Sequence, residues 1–477
     1  MKDGPYEPVW SSLETHEQIP DWFVDAKFGV YFHWGPYSVP AYGSEWYSRN
    51  MYEPDHDVYE HHCDRYGHPS EFGYKDFIPQ FTAEQFDADD WARHCADAGA
   101  EFVGLTVEHH DGFAMWDSDL TPWNAADMGP ERDVVGELAD AIRQRGMKFV
   151  ATFHHAHKWW HYPRDPAFDT TDPEFADLYG PYSEGDETPP KEYFETWRDR
   201  TIEVIDRYRP ALIYFDWGWG NQPFLEQDSY RREVIAHYYN AADGWEKDVG
   251  VCHKRDLPSN IGIHDYERDR SETVRRNTWL TDTSVDRDSW GHVRDPTYKS
   301  ARTLIEGFVD RLSKNGNTLL NVGPRADGTI PDAAVSRLAW VGSWLSTNNE
   351  AVYDTRSCWT SGHGPTDVET GEFEAATRVS FTDRDVRFTR SGDGGTLYAF
   401  CMDWPADGTV PVETNPYQHL SARATDVEPP RRIELLATGE PLEFDLDSTG
   451  REDILRVDLP DAKPASVDGP FAMRITL

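Results

Sequence analysis

Asp216 is one carboxylate at the end of an apolar run, Pro210-Ala211-Leu212-Ile213-Tyr214-Phe215, and it is followed by Trp217-Gly218-Trp219-Gly220. The run reads as a buried parallel strand. A buried Asp without a partner is costly, so Asp216 is expected at the mouth of a site. Aromatic walls beside a carboxylate suit a sugar ring, with its apolar C–H face and hydroxyl edges. Asp216 is therefore a candidate glycosidase nucleophile, although an Asp capping the next helix would leave the same local pattern. Glu45, in Ser44-Glu45-Trp46-Tyr47, is a second carboxylate between aromatics, or else an exposed loop acid.

Four other segments share that form, an apolar strand running into a polar burst. Phe28–Phe32 meets His33-Trp34-Gly35, and Phe102–Val107 meets Glu108-His109-His110-Asp111. Lys148–Phe153 meets His154-His155-Ala156-His157-Lys158-Trp159-Trp160, and Thr318–Val322 meets Gly323-Pro324. Functional residues gather at the C-terminal ends of strands in a (β/α)8 barrel. The intervening stretches have helical period: Glu84–Ala98, Asp133–Ile142 with Asp133 as N-cap, Glu195–Tyr208, Tyr230–Ala242 and Tyr298–Lys314. Alternating strands and helices also fit a doubly wound open sheet, but polar bursts on so many strands favour the barrel.

The barrel pattern fills residues 1–350. Over 351–477 the texture changes to short alternating segments between Gly, Asp and Pro clusters: Thr377–Phe381, Val386–Thr389, Thr396–Phe400, Arg432–Leu436 and Phe471–Ile475. They predict a C-terminal antiparallel β-sandwich packed directly on the barrel.

The formal charge of −40, spread along the whole chain, argues against a disordered acidic tail and against nucleic acid as a partner. Only 11 of the 46 basic residues are Lys. A hydrated carboxylate surface poor in Lys is expected of a halophilic protein, kept soluble where salt screens charge within a few ångströms. The N-terminus has neither the basic nor the apolar region of a secretory signal, and no run is long enough to cross a membrane. Five cysteines, far apart and without a CxxC pair, disfavour disulfides and a zinc ribbon. A cytoplasmic location is expected.

Taken in order, Phe32-His33-Trp34-Gly35, Glu45-Trp46-Tyr47, His109-His110-Asp111-Gly112-Phe113, the strand ending at Asp216, and Ser313–Pro324 resemble the α-L-fucosidases of glycoside hydrolase family 29. The likeness runs from about residue 20 to 355. It implies a catalytic barrel followed by a β-sandwich, a retaining mechanism, no metal or other cofactor, and a fucosylated oligosaccharide or glycoside as substrate. It also implies that Asp216 is the nucleophile and that His33, Glu45, Trp46, His109 and His110 line the fucose pocket, to which Trp34, His154, Tyr214 and Trp290 are added. Imidazoles can donate and accept hydrogen bonds to hydroxyls, and Trp can pack on the deoxy sugar's methyl group.

The acid/base is harder to place. Many members of that family carry it as a Glu after a Trp, ahead of Ser-Trp-Gly; here Leu280 follows Trp279, while Ser289-Trp290-Gly291 is present. Glu267, between an aromatic and an Arg, is the favoured residue, with Glu272 and Glu45 as alternatives. Glu108 and Trp217 also depart from the family's pattern and are expected to alter the subsite beyond fucose. Trp159, Trp160, Trp217 and Trp219 are expected on a sugar-contacting rim, and Asp282 and Asp286 on the surface. His154, His155, His157 and His161 resemble metal ligands, so a metal-dependent barrel hydrolase is one alternative function; a catalytically dead sugar-binding relative is another. Homo-oligomerisation is open.

Overall fold

The computed structural model describes residues 2–181, 188–254, 256–368, 379–413, 430–447 and 454–477. Eight parallel strands form the first layer: β1 (Phe28–Phe32), β2 (Phe102–Glu108), β3 (Lys148–Phe153), β4 (Leu212–Phe215), β5 (Gly250–His253), β6 (Ile263–His264), β7 (Trp279–Ser284) and β8 (Gly316–Val322). They run β6-β5-β4-β3-β2-β1-β8-β7. The two ends meet at a bridge between Asp265 and Leu280, with Tyr266 N donating to Leu280 O at 2.9 Å and Arg268 N to Asp282 O at 2.9 Å. The sheet is thereby closed into a barrel, not left as an open doubly wound sheet. Both faces of its strands are covered, which is why they read as near-continuous apolar runs.

The helices outside start where local chemistry allows. Asp133 Oδ1 accepts from Gly136 N at 3.0 Å and starts Val134–Gln144, while Ser300 caps Ala301–Ser313. The helix expected from Glu84 begins only at Ala88. Ala83 has a left-handed φ of 50°, and Gln85 N is bonded to Asp327 O, so the helix waits for the Asp87 cap.

Beyond the last barrel helix, Asp332–Asn348, the chain is antiparallel. Strands β9 (Thr355–His363), β10 (Val386–Ser391), β11 (Thr396–Cys401), β13 (Arg432–Leu435), β14 (Glu440–Pro441) and β17 (Phe471–Thr476) form a six-stranded sheet. β12 (Thr409–Glu413), β15 (Phe444–Asp447) and β16 (Ile454–Asp458) form a three-stranded one. Phe388, Leu397 and Ile475 of the first share a core with Val410, Leu455 and Val457 of the second, a sandwich. Of the strand expected at Thr377–Phe381, 377 and 378 lie outside the described residues, and Val379, Ser380 and Phe381 are not in a strand.

The sandwich packs on the barrel through apolar and ionic contacts. Tyr398, Phe400 and Ala472 join the barrel's outer core. Asp310, fully buried, meets Arg270 at 3.0 Å, Lys314 at 3.0 Å and, from β10, Arg387 at 2.8 Å. Among the described residues no helix is long and apolar enough to cross a membrane.

Candidate active site

The C-terminal ends of the strands put one polar group after another around the barrel mouth: His33 after β1, His109 and His110 after β2, His154 after β3, Asp216 after β4, Lys254 after β5 and Glu267 beyond β6. Gly218, two residues after Asp216, has a left-handed φ of 116°, and a Cβ there would lie 3.4 Å from His157. Asp216 is 6% exposed.

Lys254 joins the two candidate catalytic carboxylates. Its Nζ lies 2.5 Å from Asp216 Oδ1 and 2.7 Å from Glu267 Oε2, with Asp282 Oδ2 at 3.9 Å. Burial opposes the ammonium's charge, yet Asp216, Asp282, Glu267 and Asp265 together hold its pKa well above the ordinary value. For Glu267, burial raises the pKa, Lys254 opposes this, and Asp282 and Asp216 add to it; the outcome is about 7. A carboxyl near 7 can both give and take a proton at neutral pH.

The imidazoles are neutral, each because burial disfavours its charged form. His33 is lowered to about 4 and His110 to about 3, while His109 and His154 fall well below the ordinary range. Hydrogen bonds then assign two tautomers. Asn321 Nδ2 donates to Ser284 Oγ at 3.0 Å and Trp290 O at 2.7 Å, so its Oδ1 accepts, and His33 Nδ1–H donates to it at 2.8 Å. His110 Nδ1–H donates to His154 O at 2.5 Å. His110 Nε2 is left as an acceptor, 3.5 Å from Asp216 Oδ2. Two acceptors facing each other at that distance suit a hydroxyl that donates between them.

The pocket wall is built by a turn after β7. Asp286 Oδ1 accepts from Asp288 N at 2.8 Å and Ser289 N at 3.2 Å. The turn presents Trp290 N at 2.9 Å and Gly291 N at 3.3 Å to Glu45 Oε2. Trp290 lies 5.4 Å from the His33 ring, and Trp46 lies 5.2 Å from that of His110. Trp217, 36% exposed, stands over His157 at 4.3 Å and parallel to Trp46 at 6.3 Å, forming an outer aromatic rim with Trp160.

His33, Glu45, Trp46, His109, His110, His154, Asp216, Glu267 and Trp290 thus meet at one mouth. Trp34 does not. Successive side chains point to opposite sides of the strand, so with His33 inside, Trp34 faces outward against Phe81, Phe86 and Trp91. Tyr214 lies beneath the pocket, bonded at 3.2 Å to Asp265 and Asp282, while Tyr31 bonds Asp282 at 2.8 Å. Glu272 is exposed and lines a crevice with Lys314 and His363 of the sandwich side, so it is no candidate acid.

Other expectations change as well. Asp282 and Asp286 are buried, not surface acids. Glu108 is fully buried and paired with Arg200 at 2.7 Å behind the strand, away from any sugar. Trp159 and Trp219 are core residues, the latter stacked on Phe215 at 4.0 Å. His155 faces the Trp197 carbonyl at 3.2 Å, and His161 bonds Ser48 at 2.8 Å. Among the described residues, His33, His109 and His154 form the group able to hold a metal ion, their ligand atoms within 4.8 Å of one another. Lys254 was missed because β5 is only four residues long and the Lys-Arg pair after it carries no pattern.

Comparison with known proteins agrees over the whole chain. The family profile described as alpha-L-fucosidase matches residues 1–350, and that of the alpha-L-fucosidase C-terminal domain matches 380–477. The chain is 33% identical to the tissue alpha-L-fucosidase of Bos taurus over 488 residues, covering 99% of this chain and 91% of that protein. Identity to the Homo sapiens tissue enzyme is 30% with the same coverage. An alpha-fucosidase from Thermotoga maritima, solved in complex with fucose, superimposes with a TM-score of 0.77 at 27% identity, covering 99% of this chain and 100% of that one.

Proposed function

The chain belongs to the α-L-fucosidase family and is a glycoside hydrolase, and from that premise we propose that it cleaves terminal α-L-fucose by double displacement, with Asp216 as nucleophile and Glu267 as acid/base. The observation that carries this reading is the spacing of the two carboxylates. Both touch the same Lys254 ammonium, so their nearest oxygens lie within about 5 Å, a spacing that suits the roughly 5–5.5 Å of a retaining pair.

In the first step an Asp216 oxygen attacks the anomeric carbon. The bond to the glycosidic oxygen breaks, and that oxygen takes the Glu267 proton and leaves as an alcohol. The product is a β-fucosyl ester of Asp216. In the second step Glu267, now ionised, takes a proton from water, whose oxygen attacks the same carbon from the opposite face; the bond to Asp216 breaks, its carboxylate is regenerated, and α-L-fucose is released. His33, His109, His110, His154 and Glu45 orient the hydroxyls. Neutral imidazoles suit this task because an uncharged sugar cannot repay the desolvation of imidazolium.

Asp216→Gly tests the reading. Turnover should fall to near zero with fold and sugar binding intact, and azide should restore part of it by attacking from the vacated face to give β-fucosyl azide. Ordinary hydrolysis by Asp216→Gly without azide would remove both the nucleophile and the double displacement.

We also propose that the protein works in concentrated salt. The charge of −40 and the scarcity of Lys support this, since dispersed carboxylates repel one another when unscreened.

A further inference from the structure

Lys254 Nζ lies between the nucleophile and the acid/base, in contact with one oxygen of each. A glycosidic bond under attack needs that same space, because the anomeric carbon must meet Asp216 while the glycosidic oxygen meets Glu267. A second acceptor waits deeper in the barrel. Asp282 Oδ2, 3.9 Å from Nζ, is anchored by the Tyr31 and Tyr214 hydroxyls.

We propose that Lys254 is a positioning residue whose ammonium bridges Asp216 and Glu267 and gives way toward Asp282 when the glycosidic bond enters, so that Glu267 holds its proton best once substrate is seated. The proposal rests on the reading of Asp216 and Glu267 as the catalytic pair.

Among the described residues, the groups facing Glu267 and Lys254 are few. Asp216 comes from β4, Asp265 from the end of β6 and Asp282 from β7, while the imidazoles on β1, β2 and β3 are neutral. A close ammonium favours the Glu267 carboxylate, and its withdrawal favours the acid. Among the described residues, Asp256, on the loop of Lys254, is a confounder. Burial and then Asp216 raise its pKa to about 7, and it must be controlled.

The test is the basic limb of the pH profiles. The kcat/KM profile reports the free enzyme and kcat the substrate complex, so in the wild type the kcat limb should lie at higher pH than the kcat/KM limb. In Lys254→Met the kcat/KM limb should rise by about one to three pH units to meet the kcat limb, the usual effect of removing an opposite charge at this range. Lys254→Arg should keep the limbs apart, and Asp256→Asn should leave both in place.

Coincident limbs in the wild type overturn the proposal without any variant. So does an unmoved kcat/KM limb in a folded Lys254→Met or Lys254→Gln protein, or a basic limb abolished by Asp256→Asn. A general loss of activity with the limbs unmoved would mark Lys254 as merely structural. If Asp216→Gly hydrolyses normally, or Glu267→Ala keeps its basic limb, the catalytic pair itself is wrong.

Discussion

Replacing Glu267 by Ala removes the group proposed to protonate the leaving oxygen, and its environment sets the size of the effect. With its pKa at about 7, close to half of the enzyme holds the acid at neutral pH, and each further pH unit costs about tenfold in kcat/KM. General acid catalysis contributes about 10²–10⁴-fold, or about 3–5 kcal/mol of barrier. That loss falls only on leaving groups that need a proton. Glu267→Ala should therefore lose about 10²–10⁴-fold on alkyl and sugar fucosides but less than about tenfold on dinitrophenyl fucoside. Steady-state kinetics over a graded series of aryl α-L-fucosides measures the slope against leaving-group acidity, which should steepen. The basic limb should vanish. Azide should intercept the fucosyl ester from the side Glu267 vacated and yield α-fucosyl azide, the opposite anomer to that from Asp216→Gly. Glu272→Ala, at an exposed crevice position, should behave as wild type. Glu45→Ala should weaken turnover equally for all leaving groups, because its carboxylate fixes the Trp290 turn. A uniform loss in Glu267→Ala, or a surviving basic limb, refutes the assignment.

Two further expectations concern stability. Asp310→Asn leaves Arg270, Lys314 and Arg387 buried without their counter-charge, which should cost about 3–5 kcal/mol in denaturant unfolding. Burial opposes the Asp310 charge, but Lys314, Arg270 and Arg387 overcome it and depress its pKa. Its contribution is therefore complete above the unfolded carboxylate pKa of about 3.9 and is lost only as pH falls through the folded value, so the Asn deficit should be constant from about pH 5 to 8. A deficit under about 0.5 kcal/mol would show that the hub does not hold the two domains together. The melting temperature and activity should both rise from about 0.1 M to molar salt, where the Debye length falls to roughly 3 Å. A flat melting temperature across that range would end the halophilic reading.

The barrel was legible because its long strands are buried on both faces and carry polar bursts at one end. β1, β2, β3, β4 and β8 all announce themselves in this way. The remaining three do not. β5 has four residues, β6 two, and β7 reads Trp279-Leu280-Thr281-Asp282-Thr283-Ser284, polar inside as well as out. The bridge at Asp265 and Leu280 that closes the barrel is paired with a side-chain acceptor, Asp265 Oδ1 taking Asp282 N at 2.9 Å. No hydrophobic period encodes such a closure.

The site shows where local pattern stops. Asp216 and the histidines were visible since each ends an apolar run, and alternation across His33-Trp34 would have sent Trp34 outward had it been applied. Glu267 could be favoured over Glu272, but separating them takes the turn at Arg268, whose φ of 49° and hydrogen bond to Asp282 O point the chain back to the mouth before Glu272 leaves it. Lys254 was beyond reach for a different reason. Its position matters only through Asp216, Glu267 and Asp282, which lie 38, 13 and 28 residues away along the chain. A Lys-Arg pair among this many carboxylates looks like ordinary surface charge in the sequence. The fold turns Lys254 into the counter-charge of the proposed catalytic pair, because four carboxylates at one barrel mouth, Asp216, Asp265 and Asp282 buried and Glu267 half-buried, could not otherwise remain together.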